Sequence, residues 1–204
     1  MASQYFDPEI QVGSVDGKIV AGLERIAQVF RVLLWREAGE FGLSPIQLQI
    51  LLFLRHHPAP ALRTVSHLAR EFNMTKATVS DAVKILLKKE LLVKAPGASD
   101  ARSFRLDLSA EGKRVARKLK GFGSELAAAL EGVDESEKQI FTAVLLRLVF
   151  RLHETGIIQT QRMCYSCAHF QSLKAGGAYC RLLEQKLRRQ DLRLDCPEHA
   201  VASV

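Results

Sequence analysis

Apolar residues recur at helical spacing in two long segments of the chain. The first set, at steps of four, three, four and three, is Ile19, Leu23, Ile26, Phe30 and Leu33. The second set follows Asp134 and includes Ile140, Val144, Leu145, Leu148, Val149 and Leu152. An apolar residue at every third or fourth position lines one face of an α-helix. The pattern therefore predicts a helix from Val15 to about Glu40 and a last long helix capped by Asp134.

Shorter apolar runs, separated by polar turns, fill the stretch between these two helices. The predicted elements are helices over 44–56, 64–72, 75–90 and 109–132, and a two-stranded hairpin with strands in 91–94 and 103–108. The helices over 64–72 and 75–90 are joined by a tight polar turn, as in a helix-turn-helix. The apolar stripe of the helix over 109–132 is expected to be Val115, Leu119, Phe122 and Leu126. The sequence thus predicts a mainly α-helical protein with a small β-hairpin wing.

The net charge of +7 is concentrated in one segment. Residues 62–120 contain fourteen basic and six acidic side chains, whereas the segments on either side are close to neutral. A basic patch confined to one module is typical of a protein that binds a phosphate backbone. A lysine-rich helix face that simply meets water is the alternative that charge alone leaves open.

Targeting features are missing from the chain. Residues 1–7 lack the basic start and apolar core of a secretory signal, and no uninterrupted apolar run reaches about 18 residues. We therefore expect a soluble, cytoplasmic protein that does not contact membranes.

The segment after the predicted recognition helix carries a specific motif. Asp100-Ala101-Arg102 lies in the predicted wing, and Leu108-Ser109-Ala110-Glu111-Gly112 opens the next helix. This combination resembles the wing signature of the MarR family of winged helix-turn-helix regulators. The resemblance to that family covers residues 15–157. The resemblance implies that the fourth helix enters the major groove, that the wing arginine enters the minor groove, and that the first and last helices form a homodimer. One departure is that Leu91-Leu92-Val93 stands where members usually show Gly-Leu-Val or Gly-Leu-Ile.

Short polar and basic side chains occupy the positions that would face double-stranded DNA. On the predicted recognition helix these are Thr75, Lys76, Thr78, Ser80 and Lys84, whose hydroxyls and amines suit base edges and phosphates. In the wing, Arg102 suits a narrow minor groove, and Lys94 and Arg105 suit backbone phosphates. Because one recognition helix covers few base pairs, a homodimer on pseudo-palindromic operators is expected.

All four cysteines lie after residue 160: Cys164, Cys167, Cys180 and Cys196. In an intracellular protein such clustering favours a metal site over disulfides. One Cys-x2-Cys pair, two single cysteines and a Cys-Pro end favour a 4Fe-4S cluster, with Zn²⁺ as the alternative. His169 and His199 could replace a ligand, but four thiolates already complete a set. We expect this module to sense redox state or metal status.

The chain is therefore divided into four predicted regions. They are a dimerisation helix over 1–43, a winged helix-turn-helix over 44–120, C-terminal dimerisation helices over 121–157 and a cysteine-rich module over 158–204. No nucleophile elbow, zincin motif, Walker loop or dinucleotide fingerprint occurs, so no enzyme activity is expected. An iron-sulfur electron-transfer protein, or a protein-docking module, remains open. A small aromatic effector beside Trp35, Phe30 and His67 is also open, with core packing as the competing role for these side chains.

Overall fold

The computed structural model describes residues 7–96, 104–119, 123–159, 161–173 and 177–202. The helices are α1 (Pro8–Gly13), α2 (Val15–Glu40), α3 (Pro45–His56), α4 (Val65–Glu71), α5 (Lys76–Lys88), α6 (Ala110–Lys118), α7 (Ser124–Ala128) and α8 (Glu135–Glu154). The strands are β1 (Leu92–Pro96), β2 (Phe104–Leu108), β3 (Phe170–Ser172), β4 (Ala178–Cys180) and β5 (Gln185–Leu187). The predicted fold class, mainly helical with a small hairpin wing, is confirmed. No helix within these residues is both long and apolar enough to cross a bilayer.

Capping residues fix where the helices begin, and these starts agree with the sequence pattern. The Ser14 hydroxyl accepts the Gly17 amide at the start of α2, and Thr64 and Thr75 cap α4 and α5 in the same way. At the start of α3, Gln47 Oε1 accepts the Ser44 amide at 3.0 Å. Each cap satisfies an amide that has no partner within the helix. The helices of the helix-turn-helix therefore begin within a residue of the predicted positions.

The α3 helix is the centre of the head, the compact unit formed by residues 38–119. Leu48, Ile50, Leu51 and Leu54 of this helix are completely buried. They share one apolar core with side chains from every surrounding element, including Leu68, Val79, Leu86, Leu106 and Ala116. Burial of a leucine or valine side chain of this kind contributes about 1.5–3 kcal/mol. The core therefore fixes α5 and the wing relative to α3.

The wing is an antiparallel pair in which Leu92 is opposite Leu108 and Pro96 is opposite Phe104. Its base is held by an additional backbone contact, since the Leu106 amide donates to the Arg63 carbonyl at 2.8 Å. The tip over 97–103, which includes Arg102, lies outside the described residues.

The predicted single helix over 109–132 is wrong. The α6 helix ends at Lys118, and Leu119 has an extended ψ of 93°. A separate short helix, α7, begins after Gly123. Glycine is the poorest helix former after proline, and the sequence between Lys118 and Ser124 contains Gly121 and Gly123. Val115 and Leu119 are buried as predicted, Leu126 is half-buried, and Phe122 lies outside the described residues.

The cysteine-rich region forms a small unit of its own, for which the sequence pattern predicted no strands. It contains an antiparallel sheet in the order β3, β4, β5, and Met163, in its first segment, is fully buried. Isolated bridges from Arg162 to Asp195 and from Cys167 to Val201 join its first and last segments. Tyr165 packs between Phe170, at a ring-centroid distance of 5.3 Å, and Phe150 of α8, at 5.8 Å. The unit is therefore docked on the last long helix.

Candidate nucleic-acid interface and cysteine cavity

The turn between α4 and α5 is built on a left-handed residue. Asn73 has φ of 52°, a conformation that asparagine tolerates better than most residues. The Met74 amide reaches the Ala69 carbonyl at 2.9 Å, and the Asn73 amide reaches the Arg70 carbonyl at 3.2 Å. This pair of hydrogen bonds is a Schellman motif, which ends a helix and turns the chain sharply. The turn therefore sets the angle at which α5 leaves α4.

The α5 helix has one buried face and one polar face. Val79, Ala82, Val83 and Leu86 are buried in the head. Lys76, Ser80 and Lys84 follow one another at four-residue steps on the other side, where Lys76 and Lys84 are exposed and Ser80 is half-buried. Lys84 forms an exposed ion pair with Asp81 at 2.9 Å. Such surface pairs are weak, so this amine remains available to a stronger anionic partner.

The first turn of α5 is occupied by two linked threonines. Thr75 Oγ1 accepts the Thr78 amide at 3.1 Å and lies 2.8 Å from Thr78 Oγ1. Both residues are exposed. Thr75 therefore caps α5, and the hydrogen bond from the Thr78 amide fixes the orientation of its hydroxyl.

The predicted wing cations lie beside an aromatic ring and a carboxylate. Lys94 Nζ lies 4.4 Å from the centre of the Phe104 ring, and Arg105 Nε donates to Asp107 Oδ2 at 3.2 Å. Arg102 lies outside the described residues. The DNA-binding roles of Arg102 and of the other seven proposed contact residues stay predictions.

Arg63 braces the base of the wing, and the sequence pattern did not indicate this role. Its guanidinium donates to the His57 carbonyl at 2.9 Å and also bonds the Leu54 carbonyl and the Asp107 carboxylate. Burial raises the pKa of Asp107, but hydrogen bonds from Arg63 and Arg105 lower it by more, so the net pKa is below the ordinary value. No local motif marks Arg63, since its partners lie up to 44 residues away.

A second joint connects the wing to α6. The Ser109 hydroxyl accepts the Gly112 amide at 2.9 Å and lies 2.6 Å from the Glu90 carbonyl, to which it donates. A Cβ atom on Gly112 would lie 1.9 Å from the Leu91 carbonyl oxygen, so only glycine fits there. The Ser-x-x-Gly part of the wing motif therefore has a structural explanation: it caps α6 and lets the backbone of Leu91 approach it.

All four cysteines line one cavity of about 310 Å³ in the C-terminal unit, which we call the cysteine cavity. Its other walls include Leu182, Leu183, Leu187 and Leu192. The four thiols are free. In the part of the chain that the structure describes, no three His, Cys, Asp or Glu side chains are close enough together to hold one metal ion. The structure thus brings the cysteines around a common space, and the choice between a 4Fe-4S cluster and Zn²⁺ stays a prediction.

Hydrogen-bond donors point at two of the sulfur atoms. The Arg193 amide donates to Cys164 Sγ at 3.2 Å, and Arg193 Nη1 donates to Cys196 Sγ at 3.6 Å. Burial, together with the other three cysteines, raises the pKa of the Cys164 thiol, although the Arg193 amide opposes this shift. A bound metal would reverse this balance, because its positive charge favours the thiolate. The sequence pattern did not single out Arg193.

The two histidines near the cysteines differ in position. His169 lines the cysteine cavity, whereas His199 Nε2 lies 3.0 Å from Ser166 Oγ and 3.1 Å from the Ser166 carbonyl. Burial lowers the pKa of His199. Ser166 therefore holds the His199 ring inside the unit as a structural contact.

The three side chains considered for an aromatic effector lie in different surroundings. Trp35 and Phe30 are on the exposed side of α2. His67 lies on the buried side of α4, and its ring centre is 5.9 Å from that of Phe53. An effector beside these residues stays a prediction.

Both long helices that were predicted to dimerise expose apolar side chains in the single chain. On α2 these include Ile19, Val20, Ile26, Val29 and Trp35, and on α8 they include Ile140, Phe141 and Val144. Exposed apolar stripes of this kind are typical of faces that pack against another surface.

Comparison with known proteins agrees with this architecture. Residues 41–103 match the family model of the MarR family. The HTH-type transcriptional repressor YetL of Bacillus subtilis is 30% identical over 116 residues, which are 54% of this chain and 66% of the repressor, slightly less than two thirds of its length. A MarR protein from Peptoclostridium difficile superposes with a TM-score of 0.59 at 17% identity, over 70% of this chain and 92% of that one.

The S. aureus MepR–DNA complex superposes with a TM-score of 0.57 at 20% identity, over 65% of this chain and 97% of that one. At these identities the superpositions show a shared fold, and they leave about a third of this chain unmatched. The chain therefore carries a winged helix-turn-helix with the fold of the MarR family.

Proposed function

We propose that the protein is a sequence-specific transcriptional regulator that binds pseudo-palindromic operators as a homodimer. The observation that carries this proposal is the polar, cationic face of α5, which is held outward by the buried Val79 and Val83. The related YetL is named a repressor, and the MepR structure is a complex with DNA. Both names support DNA binding by a head of this fold.

The chemistry of the eight proposed contact residues divides their expected roles. Thr75, Thr78 and Ser80 present hydroxyls that both donate and accept, as reading of base edges requires. Lys76, Lys84, Lys94 and Arg105 present positive charge along α5 and the wing, where phosphates would lie. Arg102 is assigned to the minor groove. Two heads related by two-fold symmetry would read two half-sites about one helical turn apart.

The test is a salt titration of operator binding. Lys76→Ala and Lys84→Ala are expected to weaken binding to all sequences and to reduce the slope of log affinity against log salt by about one each. Arg102→Ala is expected to weaken operator binding by about 1–3 kcal/mol. Lys186→Ala, an exposed lysine on β5, is the matched control and should change neither value. If Lys76→Ala and Lys186→Ala have the same slope and affinity, α5 is not the DNA-binding surface.

We further propose that the four cysteines hold a 4Fe-4S cluster whose state controls DNA binding. Four thiols around one cavity, whose other walls combine leucines with polar side chains, suit a bulky cluster better than a single ion, for which all sulfurs must meet about 2.3 Å from one point. Backbone and guanidinium N–H groups that face the sulfurs would stabilise the thiolates of Cys164 and Cys196. When bound, the cluster supplies a charge and a stability that depend on oxidation.

Metal analysis of protein purified without oxygen tests this part. About four iron and about four inorganic sulfide per chain support the 4Fe-4S cluster, and about one zinc per chain supports the alternative. Operator affinity is then measured before and after brief oxidation, for the native chain and for Cys167→Ser. Ser172→Ala, an exposed residue on β3, controls for a substitution in the same unit. Equal affinities for the native chain and Cys167→Ser, both before and after oxidation and with folded dimers throughout, would reduce the cysteine unit to a structural appendage.

A further inference from the structure

A network of charged side chains joins the cysteine unit to the helix-turn-helix of the same chain. Arg162 donates through Nη1 to Glu71 Oε2 at 2.6 Å and through Nη2 to Glu71 Oε1 at 3.0 Å. On its other side, Arg162 Nε donates to Asp195 Oδ1 at 2.8 Å, and Nη2 lies 3.2 Å from Asp195 Oδ2. One guanidinium thus bridges two carboxylates from distant parts of the chain.

The Glu71 half of this bridge is shielded from water. The side chain of Arg162 is 13% exposed and that of Glu71 is 16% exposed. The Arg162 guanidinium also lies over the Phe53 ring, 5.4 Å from its centre. Burial raises the pKa of Glu71, but His67 and Arg162 lower it by more, so the carboxylate is held ionised. A two-bond guanidinium–carboxylate pair in such surroundings is strong and directional, and losing one partner is costly.

The cysteine end of the bridge is tied to two of the cysteines by backbone hydrogen bonds. Arg162 lies two residues before Cys164, and Asp195 immediately precedes Cys196. The Cys196 amide donates to the Arg162 carbonyl at 2.8 Å, and the Cys164 amide donates to the Arg193 carbonyl at 3.0 Å. These bonds hold the two segments side by side. A change in the separation of the Cys164 and Cys196 segments would therefore move Arg162 relative to Asp195.

The other end of the bridge lies at the turn that positions the recognition helix. Glu71 is the last residue of α4, and the left-handed Asn73 follows two residues later. Asn73 Nδ2 also donates to the Ile157 carbonyl, in the segment after α8, at 3.1 Å. His57, the residue that follows α3, has its Nε2 atom 2.8 Å from Asp195 Oδ2. The residue after α3 and the last residue of α4 are thus both bonded to the cysteine unit.

We propose that Arg162 is a positioning residue that transmits the state of the cysteine cavity to α4 and its turn within one chain. The inference rests on the proposed function, in which the cavity changes state. When the thiols are held by a cluster, Arg162 clamps Glu71 and fixes the exit of α4. When the thiols separate, the clamp opens and α5 loses its fixed orientation. This route differs from the contact of Tyr165 with Phe150, which leads into α8 and the dimer.

The experiment compares operator affinity of cluster-loaded and metal-free protein for three chains. In the native chain we expect the two forms to differ by about 5- to 150-fold. Glu71→Ala leaves Arg162 paired with Asp195 and should reduce this ratio to within about twofold of one. Glu111→Ala is the matched control, because Glu111 also forms two bonds with an arginine, Arg114, on an exposed face of α6. Its ratio should equal that of the native chain.

Hydrogen exchange of the amides in α4 and its turn provides a second readout that does not require DNA. Glu71→Ala should accelerate exchange there by about tenfold or more in the loaded protein, while Glu111→Ala should not. If Glu71→Ala does not fold, Glu71→Gln retains one acceptor and should give an intermediate ratio. A native-like ratio and native-like exchange in the Glu71 variants would overturn the role of Arg162 alone. A ratio of one in the native chain would overturn both that role and the proposed sensing function.

Discussion

Of the glycines that the structure describes, Gly112 is the one at which an added side chain would have least room. The carbonyl of Leu91 occupies the space that a side chain at this position would need. Because the clashing atom belongs to the backbone, it cannot rotate away as the end of a flexible side chain would. Substitution must therefore push the start of α6 away from the wing.

Gly112→Ala is expected to lower the free energy of unfolding by roughly 1–3 kcal/mol, the usual cost of overpacking a core. Gly39→Ala in α2 is the control, since a Cβ there meets nothing within 4 Å, and it should be neutral or stabilising by about 0.5–1 kcal/mol. Urea unfolding monitored by circular dichroism measures both. Equal midpoints for the two variants would show that α6 moves aside without cost.

Glu90 shows how a motif interpretation can be displaced by one residue. The sequence comparison placed the missing family glycine at Leu91, but the left-handed residue is Glu90, with φ of 56°. The Glu90 amide reaches the Leu87 carbonyl and the Leu91 amide reaches the Leu86 carbonyl, which completes a Schellman motif. Leu91 itself is buried in the core. Backbone dihedrals decide which residue carries the strain, and sequence spacing does not reveal them.

At the scale of elements, the wing depends on a buried ionic brace between β2 and the segment before α4. Asp107 is ionised at neutral pH because Arg63 and Arg105 outweigh the effect of burial on its pKa. Its folded pKa is therefore below the unfolded value of about 3.9. The stability that it contributes is present above this unfolded value and is lost as the pH falls through the folded one.

Asp107→Asn should thus destabilise the head at neutral pH and have a diminishing effect below about pH 4. Urea unfolding of the native chain and the variant at several pH values between about 3 and 7 measures the difference. Asp81→Asn, in an exposed pair with Lys84, is the control and should have little effect at any pH. A difference of the same size at both ends of the pH range would show that Asp107 acts through packing and not through its charge.

Periodicity predicted the elements that pack locally and missed those whose ends depend on more distant contacts. The starts of α2, α3, α4 and α5 follow from caps and apolar spacing, because both signals lie within a few residues. The break after Lys118 was missed because Val115, Leu119 and Leu126 keep helical spacing across two glycines. The strands of the cysteine unit are three residues each, too short for an alternating pattern to be recognised.

At the scale of the whole molecule, the long helices leave an apolar surface that a second copy would cover. Ile140 on α8 is 55% exposed and Ile19 on α2 is 47% exposed. Ile140→Glu should weaken dimerisation at least about tenfold, because it places a charge among apolar groups that must lose their water. Sedimentation velocity over a range of concentrations measures the shift toward monomer.

Val93→Glu is the control for that experiment, since Val93 is an exposed apolar residue on β1 of the wing. It should leave the dimer unchanged. If the two variants sediment alike, the α8 face is not the dimer interface. In that case the proposed reading of two half-sites requires another pairing of chains.

The bridge through Arg162 could not be predicted from the sequence. Its partners Glu71 and Asp195 lie 91 and 33 residues away, and no spacing rule connects them. The cysteines, by contrast, were predicted to lie together because their chemistry requires a common partner, and the structure does place them around one cavity. Long-range ion pairs become visible only when the fold has brought the segments together.

The wing joint has a consequence for how regulators of this architecture diverge. Ser109 and Gly112 hold α6 against Leu91, whereas Lys76 and Lys84 face solvent from the other side of α5. Substitution at the joint is expected to destabilise the head and to be selected against for that reason. If α5 binds DNA as proposed, substitution of the exposed Thr78 leaves the fold intact and changes which bases are preferred, whereas substitution of Lys76 or Lys84 changes the affinity for all sequences. After gene duplication, one copy can thus come to prefer a new operator through single substitutions at exposed positions. The two copies would still share the residues of the wing joint.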